Sequence, residues 1–139
     1  MDTREGSVTV GGLKLHYQEW GRPDGMPIVM LHGLRSYGAT WEPVAEAIGP
    51  QWRTIGLDQR GRGDSDWDAG ADYYTEAYVR DLEGFVEAMG LKRFVLLGHS
   101  MGGSNTMYYA GRGNNAARLR GVIIEDIRSE EHTSELQSH

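Results

Sequence analysis

Apolar and polar positions along the chain fall into two alternating periods. Near the N-terminus, SVTV and LKLHYQEW read as short strands, and the Gly11-Gly12 link between them predicts a β-hairpin. IVMLH follows the turn-rich GRPDGMP as a short continuous apolar run, the pattern of a strand buried on both faces of a parallel sheet. Trp41, Val44, Ala45 and Ile48 then recur at helical spacing until Gly49-Pro50 ends the helix. WRTIGLD is the next buried strand, followed by the Gly- and Asp-rich loop QRGRGDSDWDAGAD. From Thr75 to Met89 the apolar positions Tyr78, Val79, Leu82, Phe85, Val86 and Met89 follow a period of 3.6, with Gly90 as the cap. RFVLLGH is a third buried strand, a helix begins at Ser100, and LRGVIIED is a fourth buried strand. Strands alternating with helices after a hairpin predict an α/β fold with a mostly parallel sheet. No internal repeat and no interdomain linker interrupts it.

The 139 residues suit one modest domain or part of a larger one, and 39% hydrophobic content is enough for a packed core. A net charge of −6 argues against non-specific nucleic-acid binding, which needs basic patches. With no cysteine there is neither disulfide nor thiolate chemistry. The N-terminus MDTREGSVTV shows no signal-peptide pattern, and no apolar run reaches the ~18 residues of a membrane span. A cytoplasmic protein without membrane association is the expectation. No His/Cys/Asp/Glu group has structural metal spacing, so neither metal nor cofactor is expected. GRGDSD contains RGD, read as chance in an internal loop, and GRGNNAARLRG reads as a solvated turn.

The chemistry concentrates in VLLGHSMGGSN. Gly98-His99-Ser100-Met101-Gly102 fits G-x-S-x-G, and it lies between an apolar strand and a helix. In that context the serine sits at the apex of a tight, strained turn, and small flanking residues let the backbone pass. The helix N-terminus behind it favours developing negative charge. His32-Gly33 ends an earlier buried strand and leads into Leu34, placing a second backbone N–H where an oxyanion hole needs one.

LHGLRSYGATW, LDQRGRGDSD and GHSMGG, in that order, resemble the N-terminal half of an α/β-hydrolase fold protein of the esterase, lactonase and epoxide-hydrolase-like group. The resemblance runs from about Val8 to Ile127. It implies Ser100 as nucleophile and the N–H groups of Leu34 and Met101 as oxyanion donors. It also implies that Asp58, Arg60 and Gly61 shape the region beside the site. By the same resemblance the sheet is cut after about its sixth strand, with the triad acid and histidine placed after later strands.

A serine nucleophile needs a base. His16 reads as a structural strand residue, His32 as support for the oxyanion loop, and His99 as a neighbour of Ser100 around a sharp turn. His132 and His139 fall in RSEEHTSELQSH, a polar stretch that resembles a translated sequencing-library adapter from Arg128 to His139. The expected organisation is a partial domain over 1–127 and a disordered polar tail over 128–139, a native tail being the alternative. Asp126 is a weak candidate for the triad acid, against a strand-end residue, and Glu125 has less support.

The leading function is that of a serine hydrolase acting on a small ester, lactone or related carbonyl substrate, inactive in this chain because the histidine is missing. Carbon–carbon bond hydrolases and cofactor-free haloperoxidases share the serine and stay open. A non-catalytic small-molecule receptor is the alternative from another class. A small molecule is the expected partner. Oligomeric state is not legible.

Overall fold

The computed structural model describes residues 1–125; Asp126 and the polar stretch at 128–139 lie outside the described residues. Six strands form one sheet in the order β1-β2-β4-β3-β5-β6. These are β1 (Arg4–Val10), β2 (Leu13–Gly21), β3 (Pro27–Leu31), β4 (Arg53–Leu57), β5 (Phe94–His99) and β6 (Leu119–Glu125). The helices are α1 (Glu42–Ile48), α2 (Thr75–Ala88) and α3 (Met101–Gly111). β1 and β2 are antiparallel, as is β2 with β4, and the other pairings are parallel. The hairpin turn has positive φ at both Gly11 and Gly12, which suits it to the twist of paired strands.

The continuous apolar runs are explained by two covered faces. Val29 and Leu31 face one way with Leu15, Ile55, Leu57 and Leu96, under Leu82 and Phe85 of α2 and Tyr109 of α3. Ile28 and Met30 face the other way with Trp20 and Leu97, under Trp41 and Ala45 at α1. Alternate residues of β3 thus feed separate cores, the period-two geometry of a strand. α2 ends where expected: Gly90 is left-handed (φ 68°), and the N–H of buried Leu91 reaches back to Val86 O at 3.0 Å.

Strand order also determines where a site forms. The chain moves from β3 to neighbouring β4, then crosses back over β3 to β5. Crossovers of the same hand taken in opposite directions put their helices on opposite faces. β3 and β5 are therefore neighbours whose exits diverge, and a crevice opens at their carboxyl ends. The register Leu31↔Gly98 brings those two ends level.

LRGVIIED has the apolar run of a strand covered on both faces, and the cut after the sixth strand that the resemblance implies makes Val122, Ile123 and Ile124 an expected edge. They are 41%, 51% and 39% exposed. β6 is the outer strand of the sheet, bonded to β5 alone among the described residues. No helix among the described residues is long and apolar enough to cross a membrane.

An apolar edge of this kind recruits further strands. The apparent mass of the chain should rise with concentration in sedimentation experiments, and Ile123→Lys should suppress that rise. As a surface change it should alter stability by no more than about 0.5 kcal/mol in thermal melts. A parent chain that stays monomeric at every concentration counts against this account.

Candidate active site

Ser100 stands between β5 and α3 with φ 55° and ψ −116°, a conformation L-residues rarely hold. Such strain costs on the order of 1–3 kcal/mol and persists only where the surroundings over-determine it. Here they do. The Ser100 N–H donates to Glu125 O at 3.1 Å, and Ser100 O accepts from the Ser104 N–H at 3.1 Å. A methyl at Gly98 would strike the Gly102 backbone, and one at Gly102 would strike the Leu31 carbonyl. The small residues of the motif let helix, elbow and neighbouring strand close on one another. The Ser100 hydroxyl makes no capping bond to its own helix.

The loop after β3 lies against this elbow. A methyl at Gly33 would sit 3.2 Å from Ser100 Cβ and 3.1 Å from His99 Cδ2. Gly33 O accepts from the Ser36 N–H at 3.2 Å, in a turn that holds Arg35 at φ 66°. It also faces His32 Nδ1 at 2.8 Å, while His32 Nε2 accepts from the Gln59 backbone N–H at 3.0 Å. Burial pulls the His32 ring below the ordinary histidine range and outweighs the raising effect of Gly33 O and Asp58, so the ring is neutral. Since Nε2 receives the Gln59 proton, Nδ1 carries the ring hydrogen and donates it to Gly33 O. The 3.4 Å approach of Gln59 Nε2 to Nδ1 is therefore a contact between two donors. The Gly33 carbonyl and the Leu34 N–H share one planar trans peptide, so holding the carbonyl also aims the N–H the opposite way.

Sequence reasoning missed Gln59 and Asn105. Gln59 Nε2 donates to His32 O at 2.8 Å, and its Oε1 accepts from Asn105 Nδ2 at 2.8 Å. The available clue was a polar Asn on the face of α3 that also carries Gly102, Thr106 and Tyr109, all of them buried.

The loop after β4 behaves as the structural element expected. Asp58 accepts from the Gly38 N–H at 2.6 Å, the Asp64 N–H at 3.0 Å and His16 Nδ1 at 2.7 Å. Arg60 clamps Asp81 of α2 through two bonds of 2.6 and 2.8 Å. His16 Nε2 meets Glu5 at 2.8 Å, and Glu5, His16 and Asp64 form a group with metal-ligand chemistry. Both ring nitrogens of His16 already have carboxylate partners, so the group reads as an ion cluster. Burial lowers the His16 pKa, but the bonds to Asp58 and Glu5 outweigh it and leave it raised.

Gly33, the residue before Leu34, thus lies against Ser100, Met101 follows Ser100 as the first residue of α3, and Leu34 itself is exposed. His99 turns aside. Its Nδ1 lies 2.6 Å from Glu125 Oε1, out of line for a hydrogen bond, beside a cleft of about 260 Å³ that Trp41 and Thr40 also line. The buried Trp41 N–H has no partner among the described residues. His16 and His32 have both ring nitrogens engaged.

A sequence model described as "alpha/beta hydrolase fold" matches residues 26–138. The chain belongs to the α/β-hydrolase fold family. Among relatives of this family, it is 36% identical over 121 residues to N-formylmaleamate deformylase of Pseudomonas putida, spanning 87% of this chain and 44% of that protein. It is 34% identical to non-heme chloroperoxidase CPO-A1 of Kitasatospora aureofaciens, over 84% of this chain and 42% of that protein. The chain therefore spans less than half the length of these relatives. Among solved structures, an α/β hydrolase from Novosphingobium aromaticivorans superimposes with a TM-score of 0.82 at 29% identity, covering 99% of this chain and 50% of that one. A structure described as a putative lipase from Acinetobacter baumannii gives 0.81 at 28% identity, covering 88% and 40%.

Two outcomes follow from this geometry. Gly98→Ala should cost at least the ~1–3 kcal/mol of overpacking, because backbone rather than a flexible side chain blocks the methyl; chemical denaturation measures it. The histidines bound stability on either side of pH 6.5. His16, with a raised pKa, contributes fully below 6.5, and that contribution is lost as pH rises through its folded value. His32, with a lowered pKa, contributes above 6.5, and that contribution is lost as pH falls below it. Melting temperatures across pH 5–9 should peak near neutrality, and His16→Gln should flatten the alkaline limb alone.

Proposed function

We propose that Ser100 is the nucleophile of a hydrolase acting on a small carbonyl substrate, an ester, lactone or related acyl compound. The observation that carries this reading is the strained elbow, which presents an uncapped hydroxyl beside the Gly33 loop. Ser100 Oγ attacks the carbonyl carbon, and the resulting oxyanion takes hydrogen bonds from the N–H groups of Leu34 and Met101. The α3 N-terminus adds its dipole, and Met101 contributes one of the N–H groups that a helix leaves without an internal partner. Ser100 gives up its hydroxyl proton to water, and collapse of the tetrahedral adduct expels the leaving group, which takes up a proton from water. The acyl-serine that remains is then cleaved by water to the acid and free Ser100. The N-formylmaleamate deformylase similarity supports acyl-carbonyl chemistry at the family level. The resemblance to a non-heme chloroperoxidase supports a second reading, in which hydrogen peroxide replaces water and the acyl group leaves as a peracid.

None of the three histidines in the described residues stands ready as base for Ser100. His16 and His32 are hydrogen-bonded at both nitrogens, and His99 faces Glu125. The oxyanion donors and binding alone retain roughly 10³–10⁴-fold catalysis over water in hydrolases stripped of their triad. The purified chain should therefore acylate slowly with p-nitrophenyl acetate, on Ser100, and Ser100→Ala should abolish the adduct. Mass spectrometry of the trapped protein locates the acetyl group. An adduct elsewhere, or one that survives Ser100→Ala, removes the serine from this role. Adding hydrogen peroxide and assaying peracid separates the two readings.

A further inference from the structure

The two donors assigned to the oxyanion come from different parts of the chain. Met101 N–H rides on α3, whereas Leu34 N–H rides on the loop after β3. An oxyanion hole acts only if its donors keep a fixed separation, since misplacement by ~1 Å can cost ~10²-fold in rate. Something must tie helix to loop. Three polar side chains lie between them, almost fully buried: Asn105 at 2%, Gln59 at 4% and His32 at 1% exposure. Buried polar groups are costly unless satisfied, and apolar side chains fill such a volume more cheaply. These three bond to one another, and His32 passes on to Gly33 O.

Resting on the nucleophile reading above, we propose that the Asn105–Gln59 amide pair is a positioning brace that sets the Leu34 donor relative to the elbow helix. Asn105 Nδ2 donates to Gln59 Oε1, which fixes the orientation of the Gln59 amide and turns its Nε2 toward His32 O. Gln59 also presents its backbone N–H to His32 Nε2, which selects the Nδ1–H tautomer. That tautomer holds Gly33 O, and peptide planarity passes the constraint to the Leu34 N–H. The path runs from α3 to the loop without passing through Ser100. Neither Asn105 nor Gln59 touches the reacting atoms. Removing the Gln59 amide leaves Asn105 Nδ2 and the His32 carbonyl without their partner. Removing the Asn105 amide leaves Gln59 Oε1 unpaired and its amide free to turn away from His32 O, while the Gln59 backbone N–H still meets His32 Nε2.

Phenylboronic acid tests this without a catalytic base. Ser100 Oγ adds to the trigonal boron and releases its proton to solvent, and a boronate oxygen occupies the oxyanion position. In the parent chain the backbone amide resonances of both Leu34 and Met101 should shift on titration, and Ser100→Ala should remove both shifts. In Gln59→Met and in Asn105→Leu the Leu34 shift should be lost and boronate affinity should fall about ten- to hundredfold, with the Met101 response kept. The amide-swapped double variant, Gln59→Asn with Asn105→Gln, should recover the Leu34 shift. A parent chain silent at both amides, or shifts that survive Ser100→Ala, overturns the nucleophile reading and the brace with it. An unchanged Leu34 response in both single variants overturns the brace alone. Loss at both amides without recovery in the swap assigns the pair to general packing and overturns it as well.

Discussion

Parallel pairing of β3 with β5 places two chain exits side by side while their connections depart to opposite faces of the sheet. Everything in the crevice depends on that contact. It brings Gly33 against Ser100 across almost seventy residues of sequence, and it needs two glycines to do so. Gly98 lets the helix backbone pass close to its own strand, and Gly102 lets α3 seat on the end of β3. Replace either hydrogen with a methyl and backbone meets backbone, a collision that no side-chain rotamer relieves. The positive φ of Ser100 is the local consequence of closing the turn that tightly.

Polar groups then do different work on the two sides of the crevice. On the outer side, Asp58 gathers His16, Gly38 and Asp64 around one carboxylate, and Arg60 ties the same loop to α2 through Asp81. These charge-assisted contacts anchor a long, glycine-rich loop that otherwise has few apolar side chains to hold it. On the inner side the groups are neutral. His32, Gln59 and Asn105 share protons in one direction and carry no net charge. The same stretch, LDQRGRGDSD, serves both sides: Asp58 turns outward and Gln59 inward, as successive residues leaving a strand do.

Much of this was legible in the sequence because short-range physics dictates it. Six strand-like runs, three helical repeats, the hairpin glycines and the Gly90 stop all follow from periodicity and backbone sterics, and each appears near its expected place. The G-x-S-x-G elbow was legible for the same reason. A turn that tight between strand and helix leaves few residue types that fit, so the letters carry the geometry. The role of His32 as a loop support also followed, because the motif places it at a strand end beside the glycine whose carbonyl it holds.

Other features required the tertiary structure. How far Val122, Ile123 and Ile124 are exposed depends on β6 being the outer strand among the described residues, which strand order decides and apolar content does not reveal. Asn105, Gln59 and His32 are far apart in sequence, and each alone reads as an ordinary polar residue. Their meaning arises when α3 settles on the sheet and excludes water, since only then must each donor find an acceptor within the protein. His99 could be set aside as a neighbour around a turn, but its approach to Glu125 depended on the register of β5 with β6. Local periodicity and steric exclusion act within a few residues and so can be read from the chain. Pairing across the sheet and the satisfaction of buried polar groups are decided by distances that exist only in the folded molecule.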